Sequence, residues 1–203
     1  MSKSRRRSQA SSRPSAETTL RIIGGNLRAS RLVYHGDPRT RPMKERIREA
    51  TFNLIGPSIK GTYALDLFAG TGALALEAIS RGAVGATAIE RHFPTADLIE
   101  ENSARLGVGD RIEVVRGDTF VWIQQFPTDL PKPWTVFCSP PYRFYEERRD
   151  EMLELIGRVC DLAPEESIIV VESEVEWDVE ALPDLDRWDV RAYRPARLAL
   201  RRI

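Results

Sequence analysis

The sequence has 203 residues, enough for one α/β domain with a small appendage but not for two large domains. Hydrophobic residues make up 42% of it. It contains no run of about 18 apolar residues, and its basic N-terminus lacks the apolar segment of a signal peptide. We therefore expect a cytoplasmic globular protein. Its two cysteines, Cys138 and Cys160, form no metal-ligand pattern, so we expect reduced thiols and no metal site.

The formal net charge of zero hides an asymmetry along the chain. Residues 1–50 contain 13 Lys and Arg against 4 Asp and Glu, a balance of +9, so the other 153 residues carry −9. Clustered arginine is typical of a nucleic-acid-binding surface, and we expect a polyanion to bind this front quarter. Within it, residues 1–19 are dominated by Ser, Arg and Pro and are predicted to form a disordered basic tail.

Residues 20–58 are predicted to form a small hairpin and a helix. Residues 21–34 indicate two short strands around a Gly-Gly-Asn turn, and residues 43–54 have apolar side chains at helical spacing before the Gly56-Pro57 stop. We expect this segment to face a nucleic acid. The basic side chains assigned to that surface are Arg21, Arg28, Arg31, Arg41, Lys44, Arg46 and Arg48.

The next stretch, residues 64–78, predicts a strand, a glycine turn and a helix. Its first residues are apolar, Gly70 and Gly72 permit a tight turn, and the Ala- and Leu-rich run that follows favours a helix. The N–H groups at such a helix start bind polar ligand atoms. A strand predicted over 84–90 ends in Glu90, about 20 residues beyond the turn, where a ribose-binding carboxylate lies in βαβ nucleotide sites.

The rest of the chain alternates between strands and helices. Further strands are predicted over 112–116, 134–138, 167–172, 188–193 and 198–203, and helices over 94–106, 120–126 and 146–160. This alternation predicts an α/β fold with a mostly parallel, Rossmann-like seven-stranded sheet and helices on both faces, formed by residues 59–203. Ligands of such sheets bind beyond the carboxyl ends of the strands. The stretches expected to surround one cleft there are 66–72, 90–92, 118 and 139–142.

Five sequence features, in this order and spacing, carry a family resemblance. They are Arg21-Ile22-Ile23-Gly24-Gly25 with Arg28; Arg41-Pro42 with Arg46, Arg48-Glu49 and Phe52-Asn53; the run from Leu65 to Leu74; Glu90; and Pro140-Pro141-Tyr142. Over about residues 20–203 the chain resembles the class I S-adenosylmethionine-dependent methyltransferases. More narrowly, it is similar to the bacterial RsmD-type family, which methylates the exocyclic N2 amine of a guanine in 16S ribosomal RNA.

The resemblance implies S-adenosylmethionine as cofactor. It assigns cofactor binding to Asp66, Phe68, Ala69, Gly70, Thr71, Gly72, Glu90, Arg91, Asp118 and Thr119. By similarity, Asp66 and the glycine turn hold the methionine portion, Glu90 accepts both ribose hydroxyls, and Asp118 accepts from the adenine amino group. Carboxylates suit these tasks because each accepts two donors at once and offsets the charge of the sulfonium.

Residues 139–142, Ser-Pro-Pro-Tyr, resemble the loop that binds the planar amine of a base in amino-methylating enzymes. The resemblance implies that the Ser139 side chain and the Pro140 carbonyl accept the amine hydrogens while Tyr142 stacks on the base. Proteins of the RsmD type usually carry Asp where this chain has Ser139. A hydroxyl accepts a hydrogen bond but brings no negative charge to a developing ammonium, which leaves rate and target choice open.

Three functions remain open from the sequence. The favoured one is methylation of small-subunit ribosomal RNA by a monomer, with the RNA or a small-subunit assembly particle as partner. Loops with Pro-Pro-Tyr also occur in enzymes that methylate adenine in DNA or glutamine in protein, although residues 21–53 resemble the ribosomal family. The Ser139 departure favours the third, a catalytically weakened RNA-binding assembly factor. A nicotinamide dehydrogenase is disfavoured because the third glycine of its fingerprint is missing.

Overall fold

The structure, a computed structural model, describes residues 20–34, 42–127 and 129–203. The predicted tail over 1–19 and Arg41 lie outside these residues. The strands are β1 (Leu20–Arg21), β2 (Arg31–Leu32), β3 (Tyr63–Asp66), β4 (Gly85–Glu90), β5 (Ile112–Arg116), β6 (Trp134–Cys138), β7 (Ile168–Glu174), β8 (Trp188–Tyr193) and β9 (Ala196–Arg202). The α-helices are α1 (Glu45–Ile55), α2 (Ala73–Ser80), α3 (Phe93–Arg105), α4 (Thr119–Trp122), α5 (Phe144–Glu147) and α6 (Arg149–Leu162). Among the described residues, no helix is long and apolar enough to cross a membrane.

Seven strands form one sheet in the order β5-β4-β3-β6-β7-β9-β8. The first five of these strands pair in parallel, and β9 runs antiparallel to both β7 and β8. The chain builds outward from β3 to β5 and then returns to β6 on the other side of β3. This reversal places the topological switch point between β3 and β6, where ligands of open α/β sheets bind. The predicted mostly parallel seven-stranded sheet is confirmed.

The core lies in two clusters, one on each face of the sheet, because successive strand residues point to opposite faces. On β3, Ala64 packs into the first cluster and Leu65 into the second. On β6, Phe137 belongs to the first and Val136 to the second. The first cluster also contains the apolar residues of α2 and of the N-terminal segment, so residues 20–58 pack directly onto the sheet domain.

A buried carboxylate on α2, Glu77, holds the N-terminal segment in place. Its Oε2 accepts the Ile23 N–H and its Oε1 accepts the Gly24 N–H, both at 2.7 Å. The Arg81 Nε donates to Oε1 at 2.7 Å. A fully buried carboxylate needs such donors, since an unpaired buried charge is strongly destabilising. The segment therefore completes the environment of Glu77.

The Gly-Gly-Asn turn contacts the end of α2. The Asn26 N–H donates to the Ser80 carbonyl oxygen at 2.8 Å, and the Leu27 N–H donates to the Ser80 Oγ at 2.9 Å. A Cβ on Gly25 would lie 1.9 Å from that carbonyl oxygen, and its φ is +76°. Only glycine fits this position, because it has no side chain and tolerates positive φ. The predicted strands on either side are two residues each.

Arg48 is buried, so its expected place on the exposed side of α1 is wrong. Its relative exposure is 0%. The Arg48 Nε lies 3.7 Å from Glu77 Oε2, and its Nη2 donates to the Arg21 carbonyl oxygen at 2.6 Å. The physical reason is that α1 turns this side chain toward α2, where Glu77 supplies the opposite charge.

The helix predicted over 146–160 is two helices, α5 and α6. They are separated at Arg148, whose φ of −133° and ψ of 37° are not helical. The Arg148 guanidinium lies 3.8 Å from the centroid of the Phe120 ring and donates to Glu151 through Nη2 at 2.5 Å. The break thus coincides with a contact to Phe120 of α4 and an ion pair with Glu151 of α6.

Candidate active site

The glycine turn between β3 and α2 begins with a fully buried carboxylate. Asp66 Oδ2 accepts the Ala75 N–H at 3.3 Å, whereas Oδ1 has no hydrogen-bond partner among the described residues. Burial raises the pKa of Asp66 to about 7; the Ala75 N–H opposes this shift and the charge of Glu90 adds to it. A buried carboxylate oxygen without a donor is rare in proteins. It fits a site that receives a donor or a positive charge from a ligand.

The turn itself holds its shape through glycine. Gly72 precedes the first residue of α2 with a φ of 72°, and a Cβ there would lie 2.8 Å from the Ile99 Cγ2. The Ala69 N–H donates to the Ile89 carbonyl oxygen at 2.9 Å, which joins the turn to β4. The other expected cofactor residues of this region lie in or beside the turn: Thr71 is buried, Phe68 and Gly70 are partly exposed, and Arg91 is exposed.

Glu90 lies at the end of β4 and faces the glycine turn. Its Oε2 accepts the Gly70 N–H at 2.8 Å, and its Oε1 accepts the His92 N–H at 2.7 Å. Burial raises the pKa of Glu90, and the two N–H donors from His92 and Gly70 oppose that shift. A carboxylate has about four acceptor positions, so each oxygen retains capacity for a ligand hydroxyl.

Asp118 and Thr119 connect the end of β5 to the same turn. Asp118 Oδ1 accepts the Phe120 N–H at 2.8 Å and caps α4, and its Oδ2 lies 3.5 Å from Arg148 Nη1. The Thr119 hydroxyl donates to the Leu67 carbonyl oxygen. The loop after β5 is thereby fixed to the loop after β3.

Three aromatic rings join the segments that follow β3, β5 and β6; Phe68 lies in the glycine turn, Phe120 in α4 and Phe144 in α5. The Phe68 and Phe120 centroids lie 5.8 Å apart, and Phe144 lies 6.1 Å from each. The Arg91 guanidinium lies 5.5 Å from the Phe144 centroid. Sequence reasoning missed Phe120 and Phe144. The available signal was that each of these rings closely follows a predicted strand end.

The Ser-Pro-Pro-Tyr loop follows β6 and is bound to a carboxylate on the neighbouring strand β7. The Ser139 hydroxyl donates to Glu172 Oε2, and the Tyr142 hydroxyl donates to Oε1 at 2.8 Å. The Tyr145 hydroxyl donates to the Glu172 carbonyl oxygen at 2.7 Å. Glu172 is 7% exposed. Burial raises its pKa, and the hydrogen bonds from Ser139 and Tyr142 oppose the shift.

Glu172 was not among the predicted site residues. It nevertheless ended the strand predicted over 167–172, and β7 pairs with β6 in parallel. The carboxyl ends of parallel neighbours meet at one sheet edge, so a carboxylate at this position was the signal that could have identified it. Pro140, between the two hydroxyl-bearing residues of the loop, is buried.

The residues expected to contact nucleic acid lie on the N-terminal segment. Arg28, Arg31 and Lys44 are exposed. Arg21 is exposed and pairs with Glu45 at 2.6 Å. Arg46 is also exposed and donates to the Arg194 carbonyl oxygen at 2.6 Å. Arg48 alone among the described members of this set is buried.

These contacts bring the four predicted stretches to one edge of the sheet. Glu90 binds the glycine turn, Thr119 binds the residue after Asp66, and the aromatic rings extend the contact to the loop after β6. The arrangement combines acceptors for polar ligand groups with a hydroxyl-lined loop beside an aromatic ring. It is suited to binding a nucleoside-containing cation beside a planar amine.

The comparisons with known proteins agree with this geometry. Residues 20–200 match the family model described as Conserved hypothetical protein 95. The chain is 38% identical to the ribosomal RNA small subunit methyltransferase D of Escherichia coli (strain K12), over 81% of this chain and 79% of that protein. It is 30% identical to the candidate rRNA methyltransferase YlbH of Bacillus subtilis (strain 168), over 82% and 89%. A solved structure, the candidate methyltransferase yhhF from Escherichia coli, matches with a TM-score of 0.72 and 32% identity, over 91% of this chain and 98% of that one.

Proposed function

This chain belongs to the family described as Conserved hypothetical protein 95, the RsmD family, and from this premise we propose that it methylates the exocyclic N2 amine of a guanine in small-subunit ribosomal RNA. The cofactor of this reaction is S-adenosylmethionine. The observation that carries the proposal is the loop at 139–142, held beside the ring of Phe144 and the glycine turn. An amine bound by that loop lies at the switch point of the sheet, where the cofactor pocket is expected.

The residues around the glycine turn fit this cofactor. Asp66 has a buried oxygen without a donor, and Glu90 keeps acceptor capacity on both oxygens. Asp66 and the turn would hold the methionine portion, Glu90 the ribose hydroxyls, and Asp118 the adenine amino group. When bound, the cofactor supplies an electrophilic methyl group on a cationic sulfur. The carboxylates of the site stabilise that positive charge.

The loop at 139–142 prepares the guanine amine for attack. Its nitrogen is a weak nucleophile because the lone pair is delocalised into the ring. The Ser139 Oγ and the Pro140 carbonyl oxygen would accept the two amine hydrogens, and the Tyr142 ring would stack on the base. Catalysis then depends mainly on positioning and electrostatics.

The N-terminal segment supplies the RNA-facing surface in this proposal. Residues 20–58 carry the exposed cations Arg28, Arg31, Lys44 and Arg46, and residues 59–203 would bind the cofactor. The target base must be unpaired or flipped out to enter the site, so we propose a loop of folded RNA as substrate, either free or in a small-subunit particle. We further propose that the protein acts as a cytoplasmic monomer.

Methyl transfer to small subunits tests the proposal directly. Subunits from a strain that lacks the gene are incubated with tritiated S-adenosylmethionine and the protein, and the labelled nucleoside is identified by mass spectrometry. We expect one N2-methylguanine per subunit RNA and no label in subunits from the parent strain. Label in DNA adenine or protein glutamine, and none in RNA, would support the alternative acceptors. Cofactor binding without label in any acceptor would support the assembly factor.

A further inference from the structure

Glu172 is a buried carboxylate whose side chain contacts two neutral hydroxyls. Its Oε2 accepts from Ser139 and its Oε1 accepts from Tyr142 at 2.8 Å. In the described part of the chain, no Lys or Arg forms an ion pair with it. It is 7% exposed and lies near the carboxyl end of β7, at the sheet edge that carries the candidate active site.

Stability alone does not account for this arrangement. A carboxylate that is buried without a cation is more costly than a neutral amide of the same shape. A glutamine at position 172 could still accept a hydrogen bond from one of the hydroxyls. The charge lies where Ser139 and Tyr142 of the loop at 139–142, the base-binding loop of the proposed function, both contact it. This position indicates a role in the reaction at that loop.

We propose that Glu172 is the positioning residue and proton acceptor of the base-binding loop, acting on the guanine amine through the Ser139 hydroxyl. The inference rests on the proposed function. It also explains how a loop that carries serine can serve a reaction that develops positive charge on nitrogen, because the negative charge is supplied from β7.

The direction of the Ser139 hydrogen bond determines its chemistry. A hydroxyl has one proton and two lone pairs. Since the Ser139 proton is donated to Glu172, both lone pairs of Oγ remain available to accept an amine hydrogen. The same carboxylate holds the Tyr142 hydroxyl, which fixes the ring expected to stack on the base. A site preorganised in this way needs little rearrangement when the substrate binds.

The proton balance follows the same contacts. As the amine nitrogen attacks the methyl carbon, the N–C bond forms and the C–S bond breaks, so S-adenosylhomocysteine is released. The nitrogen, now cationic, gives one proton to Ser139 Oγ while the Ser139 hydroxyl proton passes to Glu172 Oε2. Glu172 returns a proton to solvent after the product leaves. The raised pKa of Glu172 suits a group that must accept a proton; the titratable side chain that contacts its carboxylate is Tyr142, and Tyr145 contacts its carbonyl.

Single-turnover methylation of small subunits by Glu172→Gln tests the inference. We expect the rate to fall about a hundredfold, as for loss of a proton acceptor, while the affinity for S-adenosylhomocysteine changes by less than about twofold. With S-adenosylmethionine saturating at each pH, the wild-type rate should decline as the pH falls below the raised pKa of Glu172, and this decline should be absent in the variant. The matched control is Glu174→Gln on the same strand, whose side chain is exposed.

A second variant separates charge from structure. Ser139→Asp alone places two carboxylates in contact, and we expect it to be less active than the double variant Ser139→Asp/Glu172→Gln, which again has one. Two results would overturn the inference. One is a double variant that methylates no faster than Glu172→Gln, and the other is a Glu172→Gln rate within about twofold of the wild-type rate. If Glu172→Gln does not fold, the test uses Ser139→Ala. The methylation rate of this variant should no longer fall at acidic pH, and a rate that still falls as in the wild type would overturn the proton route. Absence of methylation by the wild type would overturn the proposed function, and this inference with it.

Discussion

The Gly70 N–H donates to Glu90 Oε2 across 2.8 Å, so the glycine turn after β3 and the last residue of β4 form one unit. The second oxygen of Glu90 is bound in the same way by the His92 N–H. Both donors hold the carboxylate in one orientation before a ligand arrives. The position of the expected ribose acid is therefore set by backbone groups on two loops.

Glu90→Gln should weaken cofactor binding without unfolding the protein. The substitution removes the charge and replaces one acceptor oxygen with a donor, which cannot pair with either N–H. A hydrogen bond to a charged group contributes about 1.5–3 kcal/mol, so the Kd for S-adenosylhomocysteine should rise about 10- to 100-fold in isothermal titration calorimetry. Glu165→Gln, on an exposed loop, is the control and should bind normally. An unchanged Kd in Glu90→Gln would remove Glu90 from the cofactor site.

The affinity for S-adenosylmethionine should depend on pH through Asp66. The pKa of this carboxyl is raised to about 7 in the free protein, so below that pH it is largely protonated. A cationic ligand favours the ionised form, and binding below pH 7 therefore releases a proton. Affinity should fall as the pH falls through this range, by at most about tenfold per unit for one proton.

Calorimetry in buffers of different ionisation enthalpy measures the released proton. Asp66→Asn should bind more weakly and lose most of the pH dependence; the remainder belongs to Glu90, whose pKa is also raised. Equal proton release by the wild type and Asp66→Asn would contradict a direct role for this carboxylate.

Gly25→Ala should destabilise the protein more than another substitution at a similar φ. Gly107 has a φ of +70° with open space around it, so Gly107→Ala measures the backbone penalty alone, about 1–2 kcal/mol. Gly25→Ala adds the clash with the Ser80 carbonyl oxygen at 1.9 Å. Each kcal/mol should lower the Tm by about 2–4 °C in thermal unfolding. Equal Tm values for the two variants would mean that the turn does not rest on α2.

Arg48→Ala and Arg28→Ala should fail in different assays. Arg48 is buried beside Glu77, so its removal leaves a buried charge with fewer partners and should cost about 3–5 kcal/mol of stability. Arg28 is exposed, and its removal should leave the Tm unchanged while reducing the salt dependence of RNA binding by about one charge. Weakened RNA binding by a fully folded Arg48→Ala would contradict the structural role.

Much of the sheet could be predicted because its strands are short apolar runs bounded by turn residues that are adjacent in sequence. The bounds predicted for β5, β6 and β8 agree with the structure. The position of Arg48 could not be predicted, because it depends on Glu77, which is distant in sequence. The role of Glu172 was missed because its partners, Ser139 and Tyr142, lie on the loop after β6. The pairing of β6 with β7 does not follow from local sequence spacing. Arg148, between α5 and α6, likewise contacts the ring of Phe120 in α4, which is distant in sequence.

The buried Glu77 carboxylate also limits how the protein can be shortened. A fragment that starts after residue 58 would retain this charge but lose the Ile23 and Gly24 donors and the Arg48 guanidinium. Its α2 surface would then present an anion within an exposed apolar face. Residues 20–58 and residues 59–203 are consequently a single folding unit, and neither is suited to be used as a separate module in engineering a methyltransferase of new specificity.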